Sequence, residues 1–298
     1  MRIVYLFALL VCLASCHSAQ NQDIVMEGAQ VEKLAGEFDF TEGPASDAEG
    51  NVYFTDQPND RIMKWSIDDQ LTTWMQPSGR SNGLCFDGQG NLWSCADENN
   101  ELRIIDKNKS VTVLFNRYAE GKLNGPNDVW VGPDGSAFFS DPFYPRPWWD
   151  RDTTQQDGQC VYFVASRNSQ PVRVISDLGQ PNGIIGTPDG KMLYVADIKN
   201  SKTYSYAIGN QGALTDKKLF CEMGSDGMTL DNLGNLYLTN AAGVTVFNKD
   251  GLQIKNIKTD EPWTANVCFG GSDKQSLFIT AKSGLYRLRM NVKGVGSQ

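Results

Sequence analysis

The chain alternates short apolar runs with polar turns, and the runs recur in one layout. Before a turn, apolar and other residues alternate, as at Val129 and Val131; after it comes a denser apolar run, as at Ala137, Phe138 and Phe139. With the Asp134-Gly135 turn between them, Leu123 to Pro142 predicts a β-hairpin packed between layers. The same layout appears as GNVYFTD from Gly50, GNLWSCA from Gly90, GSAFFSD from Gly135, GKMLYVAD from Gly190, GNLYLTN from Gly234 and KQSLFIT from Lys274. Successive copies are 40, 45, 55, 44 and 40 residues apart. That period fits a four-stranded propeller blade and is too long for leucine-rich or ankyrin units.

Third strands are predicted at Arg61 to Ser66, Leu102 to Asp106, Val161 to Ala165, Thr203 to Ala207, Val244 to Asn248 and Leu285 to Met290. Val31 to Gly36 precedes the first hairpin and is expected to supply the outer strand of the last blade, which closes the ring without an open seam. No helical period and no Gly/Pro/Ser-rich linker interrupts the pattern. The expectation is an all-β fold, a six-bladed β-propeller with four-stranded blades, forming a single domain over residues 31–298.

Composition removes several function classes. With 27 basic and 35 acidic residues the net charge is −8, the wrong sign for a nucleic acid or an anionic membrane surface, so no nucleic-acid partner is expected. The first sixteen residues carry one Arg and then an apolar run from Ile3 to Ala14, too short to span a bilayer and shaped like an export signal. Leu13-Ala14-Ser15-Cys16 resembles the lipobox of bacterial lipoproteins. That resemblance implies cleavage before Cys16, a lipid anchor there as the only membrane contact, and a place in the bacterial cell envelope; an ordinary signal peptide is the alternative. Residues 17–30 read as a polar tether. Five cysteines remain beyond the export segment, an odd number without CxxC spacing, so neither a zinc site nor a full disulfide framework is indicated.

The chemistry lies in a column of residues. Eight positions before the first residue of each of the six copies stand Glu42, Asn82, Asn127, Asn182, Asp226 and Asn266, all with a side-chain carbonyl or carboxylate oxygen. An equal offset places them at equivalent starts of the innermost strands, where side chains line the central channel of a propeller. Capping of turns is the alternative role for Asn and Asp before a strand. The single histidine is His17, so the propeller holds no imidazole for a zinc site or a Ser-His-Asp mechanism. Two carboxylates with several amide oxygens suit one divalent metal ion, calcium first, which takes about six to eight oxygen ligands, with magnesium, manganese or zinc as substitutes.

Thr41-Glu42-Gly43-Pro44, Gly125-Pro126-Asn127-Asp128, Ser140-Asp141-Pro142, Pro181-Asn182-Gly183 and Asp226-Gly227-Met228 resemble the signature segments of the gluconolactonase and senescence marker protein (regucalcin-like) family of six-bladed propellers. The resemblance covers Val31 to Met290. It implies that Glu42, Asn182 and Asp226 hold a divalent metal, that Asn127 adds a ligand or contacts substrate, and that the protein opens a sugar lactone to the aldonic acid. Asp226 is the candidate base for the attacking water, with a purely ligating role as the alternative. A non-catalytic ligand- or partner-binding propeller and an ester or phosphotriester hydrolase at the same metal are the other readings. The chain is expected to act as a monomer or weak oligomer on a small-molecule lactone.

The longest spacing marks an insertion after Asp141, PFYPRPWWDRDTTQQDGQ. Phe143, Tyr144, Trp148 and Trp149 with Arg146 are expected to form a rim or lid, with Tyr144, Arg146 and Trp148 touching substrate; packing of the loop onto a neighbouring blade is the alternative.

Overall fold

A computed structural model describes residues 23–295. The expected export segment ending at Cys16, and the anchor expected there, lie outside the described residues. Six four-stranded antiparallel sheets are arranged around an axis, and consecutive innermost strands are neighbours in cyclic order, from Thr41–Ser46 through Ser81–Phe86, Val129–Val131, Pro181–Gly186 and Met228–Leu230 to Thr264–Gly270 and back to Thr41–Ser46. We number the blades 1 to 6 in that order. The sixth takes Glu32–Ala35 as its outer strand, paired with Gly284–Arg289, which is the ring closure expected from the sequence. The expected tether is shorter at its described end. Ile24 is buried with Met290 and Val292, and Val25 bridges Met290, so the segment from Asp23 onward docks against blade 6.

The apolar runs follow from the stacking of blades. Every blade is covered on both faces, so successive residues of a strand point into two different cores. Val52 and Phe54 pack against blade 6 while Tyr53, between them, packs against blade 2. In blade 3, Ala137 and Phe139 face blade 2 and Phe138 faces blade 4. Six such cores, one per pair of neighbouring blades, replace a single centre. A fully buried side chain such as Phe54 or Phe138 contributes about 2 kcal/mol through loss of apolar surface to water.

In blades 1, 2 and 5 the hairpin turn is held by an aspartate three residues before the turn glycine. Asp47 Oδ1 accepts from the backbone N–H of Gly50 and Asn51, and Asp231 Oδ1 accepts from Leu233 and Asn235. These turns occupy one face of the wheel. The starts of the innermost strands and the ends of the second strands share the opposite face, and the oxygen column lies there.

Candidate functional site

The column closes into a ring. Glu42, Asn82, Asn127, Asn182, Asp226 and Asn266 are all buried, each at or just ahead of the innermost strand of a different blade. Glu42, Asn82, Asn127 and Asp226 line one cavity of about 370 Å³ with Phe40, Gln57, Tyr144, Arg146, Gln180, Ile198 and Trp263. Asn182 joins it through its amide nitrogen, which donates to Asp226 Oδ1 and to the Tyr144 hydroxyl, both at 2.9 Å. Asn266 lies lower in the channel; its Nδ2 donates to Glu42 Oε2 at 3.3 Å and its Oδ1 accepts from Val267 N–H.

The glycines after the ring residues let neighbouring blades meet this closely. A Cβ on Gly43, whose φ is +41°, would fall 2.0 Å from the carbonyl oxygen of Asn82, and a Cβ on Gly227 would fall 1.9 Å from Asn266 Cγ. The Asn-Gly and Asp-Gly pairs are therefore close approaches between blades and not turns. Gly43→Ala is expected to cost about 3 kcal/mol, because the obstruction is backbone and cannot rotate aside. Urea unfolding checks this, and an unchanged midpoint would refute the close-packing account.

Two features of the ring fit an oxygen-ligated divalent cation. Asn82 Oδ1 and Asn182 Oδ1 are buried without a hydrogen-bond partner among the described residues, which costs about 1–3 kcal/mol for each acceptor left unsatisfied. Glu42 and Asp226 meanwhile sit within each other's field. Burial first and then the Asp226 charge push the Glu42 carboxyl well above its ordinary range, and burial raises Asp226 to about 6 against the hydrogen bonds from Trp263 and Asn182. Asp128, buried just below, is raised to about 7 by the same loss of solvent. Among the described residues no group of three or more His, Cys, Asp or Glu converges, so a donor set here combines the two carboxylates with amide oxygens. Glu42, Asn182 and Asp226 with Asn82 and Asn127 are the residues able to hold a hard cation; the Asn266 oxygen is already used.

The raised carboxyls have a sign that can be measured. A carboxyl whose pKa is higher folded than unfolded binds more protons when folded, so its destabilising effect grows as pH rises from the unfolded value through the folded one. For Asp226 and Asp128 that window runs from ordinary carboxylate values near 3.8 to about 6 and about 7. The cation-free protein is expected to show a Tm that falls between pH 4.5 and about 7.5. A Tm rising across that interval would contradict the assignment.

The insertion divides into two parts. Tyr144 and Arg146 reach the cavity. Trp148 does not line it: its ring lies 4.5 Å beneath the Arg80 guanidinium, while Trp149 donates to the Asp97 carbonyl at 2.7 Å. The loop is thus packed onto blade 2 by its tryptophans and presents a phenol and a guanidinium to the cavity. Sequence reasoning missed Trp263, whose indole N–H donates to Asp226 Oδ2 at 2.6 Å, as well as Gln57 and Gln180. Trp263 had a faint signal, standing three residues before the ring position Asn266 in a loop otherwise polar.

The family model described as SMP-30/Gluconolactonase/LRE-like region matches residues 40–283. The chain is 25% identical over 292 residues to the gluconolactonase of Zymomonas mobilis, covering 89% of this chain and 82% of that one. It is 29% identical over 247 residues to the pentonolactonase XacC of Haloferax volcanii, covering 79% of each. Among solved structures, a gluconolactonase from Xanthomonas campestris superposes with a TM-score of 0.83 at 27% identity, covering 90% of this chain and 91% of that one.

Proposed function

The chain belongs to the SMP-30/gluconolactonase/LRE-like family, and from that premise we propose that it opens a sugar lactone to the aldonic acid at a divalent cation, calcium, held by the ring. The observation that carries the proposal is the pair of buried amide oxygens of Asn82 and Asn182, unpartnered among the described residues, beside two mutually repelling carboxylates. A cation bound there supplies Lewis-acid polarisation of the lactone carbonyl and stabilises the charge that develops on its oxygen.

The protein's own residues supply the rest. Asp226 takes a proton from the attacking water; addition to the carbonyl and loss of the ring oxygen as leaving group complete the hydrolysis, and the ring oxygen ends protonated as a hydroxyl. Asp226 is suited to this because Trp263 and Asn182 fix both of its oxygens, so its orientation is set before substrate arrives. Phe40, Ile198 and the Trp263 ring give the cavity apolar walls against a lactone ring, and Tyr144 and Arg146 face its hydroxyl-bearing edge. A six-membered sugar lactone fits within 370 Å³ with room for water.

The test is acid release in a pH-stat. Purified protein with glucono-δ-lactone is expected to release acid well above the spontaneous rate, to lose this activity on chelation and to regain it with calcium. Absence of release from aldonolactones by protein shown to contain a bound cation would instead favour a propeller that binds without turnover.

A further inference from the structure

A second column runs through the repeat, and one member departs from it. Second strands of four blades end in or just before an aspartate: Asp56, Asp97, Asp141 and Asp197. Three of these use the carboxylate on backbone N–H groups just ahead of the innermost strand of their own blade. Asp56 Oδ1 accepts from Asp39 and Phe40, Asp141 from Asn124 and Gly125, and Asp197 from Gly179 and Gln180. The repeat geometry thus assigns this position a structural task.

Asp97 does not perform it. In blade 2 the corresponding N–H of Arg80, with that of Ser78, is bonded instead by Asp60 Oδ1, at 2.6 and 2.9 Å. The Asp97 carboxylate is released and, although only 2% exposed, spends its Oδ2 on two side chains that line the cavity, Arg146 Nε at 2.5 Å and Gln57 Nε2 at 2.9 Å. Its Oδ1 has no partner among the described residues. The backbone carbonyl of the same residue accepts from Trp149, so one position at the end of a blade 2 strand holds the insertion from blade 3 at two points.

The geometry points to Asp97 as a positioning residue for substrate recognition: it clamps Arg146 through Nε, so that the two Nη groups, which donate to no protein acceptor among the described residues, are presented to the hydroxyl oxygens of a polyhydroxylated lactone. A guanidinium held at one nitrogen loses less side-chain entropy on binding a ligand, and its remaining planar edge is a two-point donor suited to vicinal oxygens. The clamp acts on binding and not on the reacting carbonyl, whose partners lie on the ring. This rests on the lactonase reading for its substrate.

The experiment compares Asp97→Asn, Arg146→Ala and their double variant, with calcium bound, on glucono-δ-lactone and on δ-valerolactone, which lacks hydroxyls. Each single variant is expected to raise KM for gluconolactone. Its loss of kcat/KM on gluconolactone is expected to exceed its loss on δ-valerolactone, which reads the Arg146 charge beside Asp226, by about tenfold, the size of one charge-assisted hydrogen bond. The double variant is expected to be no worse than Arg146→Ala alone, since Asp97 acts through Arg146. Arg146→Lys, which leaves the buried aspartate in place but removes the fork, is expected to match Arg146→Ala and covers the case in which Asp97→Asn fails to fold. Equal losses on both lactones, or additive effects in the double variant, would overturn the clamp. If the wild type hydrolyses neither lactone, the lactonase reading fails by itself, and calorimetry with gluconate then decides the clamp: about tenfold weaker binding in Arg146→Lys supports it, unchanged binding removes it.

Discussion

Asp226→Asn is expected to lower kcat for an aldonolactone by about two to four orders of magnitude, the range by which a positioned general base accelerates proton transfer. The substitution is nearly isosteric, so the buried site keeps its volume. It neutralises a carboxylate held by two side-chain donors, the Trp263 indole and the Asn182 amide. The two roles open to Asp226 separate on one sample. A variant that binds calcium like the wild type but turns over slowly marks Asp226 as the base. A variant whose kcat returns to within about threefold of wild type at saturating calcium marks it as a ligand only, since an interaction that merely holds the cation is restored by mass action. Wild-type activity with wild-type calcium affinity in Asp226→Ala would take the residue out of the chemistry.

The second large effect falls on Glu42, and it has opposite signs with and without the cation. Without a cation its carboxylate is buried, faces the Asp226 charge and has its pKa driven well upward. A neutral glutamine relieves that repulsion, so Glu42→Gln is expected to raise the Tm of the cation-free protein at neutral pH. The same change removes half of the ring's ligating charge and should abolish the stabilisation by calcium. In the wild type, calcium at a hundredfold excess over Kd adds about 2.7 kcal/mol, about 5–10 °C for a chain of this size. Differential scanning of the four combinations checks both signs at once. A Glu42→Gln protein that is less stable without cation and equally stabilised by it would remove Glu42 from the site.

Much of this was legible in the residues because the fold repeats. A fixed offset between turn and column survives unequal loops, so Glu42 could be aligned with Asn182 and Asp226 although they lie far apart in the chain. The apolar runs at Val52 to Phe54 and Ala137 to Phe139 gave the blades because both faces of every strand are covered. What the offset could not give was which oxygens remain free. Asn266 stands in the same register as Asn182, yet its oxygen accepts from Val267 while that of Asn182 has no partner among the described residues. Trp148 and Trp149 were indistinguishable from Tyr144 and Arg146 as rim residues, because the insertion has no counterpart in other blades. Its conformation depends on Arg80, over the Trp148 ring, and on Asp97, whose carboxylate is released because Asp60 takes over the neighbouring cap. Trp263 escaped for a similar reason: a loop residue reaches Asp226 only through the curvature of the closed ring.

Reconstitution of one chelated preparation with calcium, following bound cation and lactone hydrolysis together, tests most directly whether the converging side chains form a working centre. Hydrolysis should rise in step with occupancy and level off at one ion per chain, and Glu42→Gln should show neither binding nor activity over the same range. Full turnover by the cation-free protein, or an ion bound equally well without the Glu42 carboxylate, would contradict the account.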